Sequence, residues 1–171
     1  MRIYTIGHST RNISDLCRIL SVYHISVLGD VRSFPRSFRN PQLNKELIGI
    51  ELGKYAIRYV WLEKLGGRRK GLGISSKNTS WRNLSFRSYA DYMETAEFLG
   101  GIGELLELAD AETTAIMCAE AVYWRCHRSM IADFLKSKGV DVTHIFDEVH
   151  SKEHEYTQCA KVLHGNLTYH Q

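Results

Sequence analysis

The chain has 171 residues, 44% of them hydrophobic and 24% charged. That is enough apolar material for one folded domain with a real core, and it excludes a disordered chain. With 22 basic against 19 acidic residues the formal net charge is +3, a mild excess that suits a phosphate-bearing partner without requiring one.

The opening residues, MRIYTIGHST, hold too short an apolar run for a signal peptide, and no later stretch is long enough to cross a membrane. The expectation is a cytoplasmic protein, with no membrane partner, whose four cysteines (Cys17, Cys118, Cys126 and Cys159) are reduced. RIYTIGH reads as a first strand. NISDLCRILSVY follows with Ile13, Leu16, Ile19 and Leu20 at helical spacing, and with Asn12 or Ser14 as its cap. ISVLGDVRS reads as a second strand and PQLNKELIGIELGKYA as a helix opened by Pro41. IRYVWLEKLGG is a third strand that breaks at the glycine pair. The polar run over residues 68–83 is a long loop, of the kind that is functional or mobile in compact domains. Residues 86–110 are helical, with Gly100 and Gly101 placed to kink or split the helix. TTAIMCAE is a fourth strand, CHRSMIADFLKSKG a helix ended by Gly139, and VDVTHIFD a fifth strand. AKVLHGNLTY has the pattern of a β-hairpin turning at His164 and Gly165.

Five strand–helix alternations predict a three-layer α/β domain spanning residues 1–171. It has a mainly parallel five-stranded sheet, helices on both faces, and a small C-terminal β-hairpin. In such a sheet the loops after the strands share one rim, where ligands bind. The first strand delivers His8 and Ser9 to that rim. The second brings Asp30, Arg32 and Arg36, and the third Gly66, Gly67, Arg68 and Arg69. The fourth leads to Cys118 and Glu120, then to Arg125, Cys126, His127 and Arg128.

The stretch MCAEAVYWRCHRSMIADFL allows several chemistries. A metal would take Cys118, Cys126 and His127 as three ligands and His8 as a fourth, but no close ligand pair has a usual zinc spacing, so no metal is expected. A cysteine and an arginine bracketing five residues would mark a phosphatase or sulfurtransferase loop; here six residues separate Cys118 from Arg125. Both cysteines can also pack as small hydrophobes. An anion at the helix start fits best, held by free backbone N–H groups with Arg125 and Arg128 as a forked grip. Glu120 is then either an ion-pair partner of Arg32 or Arg128, or a general base, with Asp30 as a second carboxylate and His8 or His127 as acid, base or donor. GHST lacks the glycines and lysine of a P-loop, and no GxGxxG is present, so no nucleotide cofactor is expected. Trp61, Trp81 and Trp124 lie near the basic loops, where they either stack on bases or pack in the core.

IYTIGHST, DVRSFPRS, NPQLNKEL, YVWLEKLGGRRKG, WRN, YADYM, CAEAVYWRCHRSMIADFL and EYTQCAKVLHGNLTY occur in order along the chain. Together they resemble the successive motifs of the domain of unknown function family 488, over nearly the whole length. The resemblance implies a fold and a set of marked residues: Gly7, His8, Ser9, Asp30, Arg32, Pro35, Asn44, Tyr59, Gly66, Gly67, Cys118, Glu120, Cys126, His127 and Arg128. It implies no reaction. Phe38, Leu43, Tyr123 and Gln158 depart from the usual pattern, and none of them removes an acid, a base or an anion ligand. Two functions follow. One is a cofactor-independent enzyme, a hydrolase or glycosyl-type transferase acting on a nucleotide or nucleic acid, with a glycosidic bond as one target. The other is a module that binds or senses a nucleotide or single strand without turnover. The state of Glu120 discriminates them: a base must be free of an ion pair.

Overall fold

The computed structural model describes residues 1–38 and 40–171; Arg39, in the basic DVRSFPRSFRN run, lies outside the described residues. β1 (Arg2–Gly7) is followed by α1 (Ile13–Val22), whose cap is Asn12: its Oδ1 accepts from the Asp15 N–H at 2.8 Å. β2 (Val27–Asp30), α2 (Lys45–Gly53) and β3 (Arg58–Trp61) come next. α3 (Leu84–Met93) and α4 (Ala96–Ala111) lead to β4 (Thr114–Cys118), then α5 (Arg128–Ser137) and β5 (Asp141–Ile145). β6 (Ser151–Glu153) and the hairpin of β7 (Lys161–Leu163) and β8 (Asn166–Thr168) close the chain.

The main sheet has six strands in the order β3-β2-β4-β1-β5-β6. The five expected strands are parallel, and β6 adds an antiparallel edge that the sequence pattern did not reveal. Three exposed residues, Ser-Lys-Glu, carry no alternation that would mark them as a strand. The chain moves one way across the sheet from β1 to β3 and returns from β3 to β5. Right-handed crossovers therefore put α1 and α2 on one face and α3, α4 and α5 on the other. Two cores result. Ile6, Leu16, Leu20, Leu28, Ile48, Leu52 and Met117 fill one. Ile3, Leu62, Tyr89, Phe98, Ile116, Met130 and Val142 fill the other. Each fully buried aliphatic side chain in these layers contributes about 1.5–3 kcal/mol of transfer free energy.

Several boundaries differ from the sequence pattern. Pro41 opens a separate 3₁₀ turn, Pro41–Leu43, so α2 starts only at Lys45. The helix expected over residues 86–110 is two helices, and the break lies at Thr95, not at the glycine pair. Thr95 caps α4, its Oγ1 accepting from the Phe98 N–H. Gly100 and Gly101 lie inside α4, where Gly101 lets the turn at residues 63–65 approach: a Cβ there would come within 2.9 Å of Lys64 Cβ. The third strand ends at Trp61 because Glu63–Leu65 form a 3₁₀ turn. The loop over residues 68–83 is pinned by Asp91 of α3, which accepts from Leu72 N at 2.9 Å, Ser76 Oγ at 2.5 Å and Asn78 Nδ2 at 2.9 Å. At the hairpin turn both His164 and Gly165 have positive φ, 50° and 76°, as a type I′ turn requires. Among the described residues no helix is long and apolar enough to cross a membrane.

Candidate functional site

β1 and β4 are neighbours, yet the chain leaves β1 toward α1 and β4 toward α5, on opposite faces. The strand ends therefore part there, and a cleft of about 530 Å³ opens between them. Backbone bonds prolong the pairing into its floor: His8 N donates to Cys118 O at 2.9 Å and Ser9 N to Ala119 O at 3.0 Å. Gly7 permits this close approach, since a Cβ there would fall 2.0 Å from the Glu120 carbonyl oxygen. Ser9 turns the chain through a left-handed conformation, φ 48°, that few non-glycine residues adopt.

His8, Ser9, Arg32, Arg36, Gly67, Arg68, Glu120, Cys126 and His127 all line the cleft. With Cys118 and Arg125, which line it too, the topology gathers eleven of the residues singled out in the sequence. Asp30, Gly66, Arg69 and Arg128 lie outside its lining. Asp30 is fully buried behind Arg32. Its carboxylate accepts from Arg32 N (3.0 Å), Nε (2.9 Å) and Nη2 (2.5 Å) and from Tyr59 Oη (2.7 Å). With its lone pairs so engaged it holds Arg32 in place and takes no proton from a ligand. Arg69 turns back onto its own loop, donating to Gly66 O and Glu63 O and covering the Tyr92 ring at 3.9 Å. Gly66 packs against Ser33.

Arg128 was expected to reach an anion beside Arg125. Instead it is 1% exposed and faces inward, donating through Nε to Cys126 Sγ at 3.4 Å and through Nη2 to the Glu120 carbonyl. The physical reason is that α5 starts at Arg128, not at Cys126, so its first residue points under the 119–127 segment. Arg125 remains exposed on the cleft wall. Arg36 and Arg68 complete a cationic rim. Arg36 makes only an exposed pair with Glu46 at 3.3 Å, and Arg68 lies 5.6 Å from the Phe34 ring.

Glu120 is exposed, lines the cleft and has no ion-pair partner among the described residues. The two arginines expected to neutralise it are committed elsewhere, Arg32 to Asp30 and Arg128 to Cys126 and backbone.

His8 is neutral. Its Nδ1 bonds the Ser9 carbonyl at 2.9 Å and must carry the proton, so Nε2 accepts from Arg32 Nη1 at 3.3 Å. Burial, aided by Arg32 and Arg128, pushes its pKa down to about 4. His127 likewise uses Nε2–H on the Val31 carbonyl at 3.0 Å, which turns Nδ1 toward Cys126 Sγ, 3.5 Å away. Gly67 backs the ring so closely that a Cβ would come within 2.4 Å of Nδ1.

The cysteines are where the sequence said least. Cys118 Sγ, Cys126 Sγ and His127 Nδ1 all lie within 4.8 Å of one another. The sequence offered these three as a ligand set and spacing argued against it, yet β4 and the start of α5 return to one point and bring them together. The Cys118 thiol donates to Cys126, which holds Cys126 well below the ordinary thiol range; His127 and Arg128 add to that, against burial. Cys118 is pushed well above that range by the same bond and by burial. The tryptophans are not in the cleft. Trp81 packs on Phe86 and Tyr169, Trp61 donates to Arg32 O, and Trp124 lies on Tyr123. The aromatic residues that line the cleft are Phe34, Phe86 and Tyr89 instead.

No curated protein and no solved structure matches this chain. A family model described as "Domain of unknown function DUF488" matches residues 12–135, most of the sequence and all of the cleft apart from His8 and Ser9, and the chain belongs to that family.

Proposed function

We propose that the protein is a cofactor-independent enzyme acting on a nucleotide or a nucleic-acid strand, by hydrolysis or group transfer, with Glu120 as general base and a glycosidic bond as one target. One observation carries this: a carboxylate with no ion-pair partner among the described residues stands in a cleft with four arginines in its lining. A carboxylate kept for structure would be neutralised by the arginines beside it, and here they are bound to other groups. Arg36, Arg68 and Arg125 suit a phosphate, and Phe34 and Phe86 offer faces to a base. The cleft volume is in the range of small-ligand sites.

The test is calorimetry with mononucleotides and short single strands, run beside a product screen. Glu120→Gln keeps the shape and removes the proton acceptor. It is expected to leave affinity unchanged and to slow turnover about 100- to 10,000-fold. Turnover that survives Glu120→Gln would remove Glu120 from the chemistry. Tight binding with no product from the parent chain would make the protein a sensing module instead.

A further inference from the structure

Behind the cleft lining lies a charge that the Glu120 chemistry does not use. Arg128 is 1% exposed, yet among the described residues no carboxylate pairs with it. A guanidinium so desolvated needs an anion nearby. Of its two hydrogen-bond partners among the described residues, the one that can become an anion is Cys126, whose Sγ takes the Arg128 Nε–H at 3.4 Å. His127 Nδ1, 3.5 Å from the same sulfur, is placed to receive its proton, while Val31 O steadies the other side of the ring at 3.0 Å. Cys118 is the second thiol against it, and both cysteines are among the residues that line the cleft. Cys17 and Cys159 lie elsewhere, in the α1 core and on the C-terminal segment.

We infer that Cys126 is a thiolate nucleophile and Cys118 its resolving thiol, so that the pair is a redox-active dithiol that hydroperoxides oxidise. The inference is independent of the role of Glu120. In the first step the Cys126 thiolate attacks the distal peroxide oxygen. The O–O bond breaks, the alcohol or water leaves with the proton that His127 Nδ1 took from Cys126, and Cys126 becomes a sulfenic acid. In the second step the Cys118 sulfur attacks Cys126 Sγ, and the S–O bond breaks. Water leaves with the Cys118 proton, and a Cys118–Cys126 disulfide remains. Two electrons have passed from the dithiol to the peroxide. A dithiol reductant returns them by exchange. The disulfide would tie the end of β4 to the residue before the α5 cap and so restrain the segment that carries Glu120.

A shared soft metal ion is the competing use of the same three atoms. Two thiolates already neutralise a divalent ion, which would leave the Arg128 charge without a partner, so the charge balance favours the free thiolate. The test uses the full chain. Reduced protein is treated with hydrogen peroxide, alkylated under denaturing conditions and mapped by mass spectrometry. Titratable thiols are expected to fall from four to two per chain, with Cys118 and Cys126 linked in one peptide pair and Cys17 and Cys159 alkylated. Cys118→Ser should stop at a sulfenic acid on Cys126 that dimedone traps. These readouts need no variant to fold, since the parent chain alone reports the linkage. Cys118 and Cys126 both remaining alkylatable after oxidation would overturn the inference. So would about one zinc per chain in the purified protein that is lost with either cysteine.

Discussion

Gly67 shows how tightly single residues build the cleft. Its missing side chain lets the backbone press against the His127 ring, with Nδ1 only 2.4 Å from where a Cβ would stand. Gly67→Ala must push His127 away from Cys126 Sγ or shift the 63–69 turn. The expected cost is about 1–3 kcal/mol, as for other overpacked sites, together with slower alkylation of Cys126. Gly103 in α4 is the matched control. A Cβ there meets nothing within 4 Å, and Gly103→Ala should stabilise the fold by about 0.5–1 kcal/mol. Urea unfolding of both variants checks the contrast. Equal effects would mean that Gly67 is not held by His127. The roles of His8 and Asp30 belong to this scale too. Residue type marked both as chemistry, but hydrogen bonding commits them: Asp30 to Arg32 and Tyr59, His8 to Arg32 and Ser9 O.

α5 does more than cover the sheet. Its Asp133 is fully buried and accepts from His154 Nε2 (2.9 Å), Thr157 N (2.9 Å), Thr157 Oγ1 (2.6 Å) and Tyr169 Oη (2.8 Å). Through His154 the network reaches His144 Nε2 at 2.9 Å and then Thr5 Oγ1 at 2.7 Å, so one carboxylate ties α5, β5, β1 and the C-terminal segment together. Asp133→Ala leaves these donors unpaired in the interior. The expected loss is about 3–5 kcal/mol. It should be accompanied by faster amide exchange over residues 151–171, while β2 and α2 keep their protection. Uniform exchange throughout the chain would instead show that the tail and the sheet open as one unit. Tyr169→Phe removes a single donor and should cost less, about 1.5–3 kcal/mol for a bond to a charged acceptor.

For the molecule as a whole, buried histidines set the acid limb of stability. His8 is lowered to about 4, mainly by burial, and His144 to about 2 by burial and by its neighbour His154. Both folded values lie below the unfolded value of 6.5. Between pH 6.5 and 4 the unfolded chain binds protons that the native chain refuses, so this stability is present above 6.5 and is lost as pH falls. Each histidine contributes a slope of about 1.4 kcal/mol per pH unit in that window. Below about 4 the His8 share levels off, while that of His144 continues. Urea unfolding at a series of pH values checks this: stability should fall by about 2.5 kcal/mol per unit around pH 5, and His144→Asn should halve the slope. A flat profile there would mean that both rings are protonated in the native state.

Much of the architecture is local and could be read from the residues. Helical spacing in α1, β-branched runs in β1 and β4, and the His164-Gly165 turn each depend on neighbours a few positions away. Alternation of strands and helices, with the handedness of crossovers, was then sufficient for a three-layer parallel sheet and for the rim where His8, Arg32, Glu120 and Cys126 meet. What tertiary structure alone decided is pairing. Arg128 turns inward to Cys126 and not outward to an anion, Glu120 is left without an ion-pair partner among the described residues, and two cysteines eight positions apart come into contact. The reason is that a side chain's partner depends on where strand ends and helix starts converge in space, and on which neighbours have already claimed its hydrogen bonds. No period along the chain encodes either.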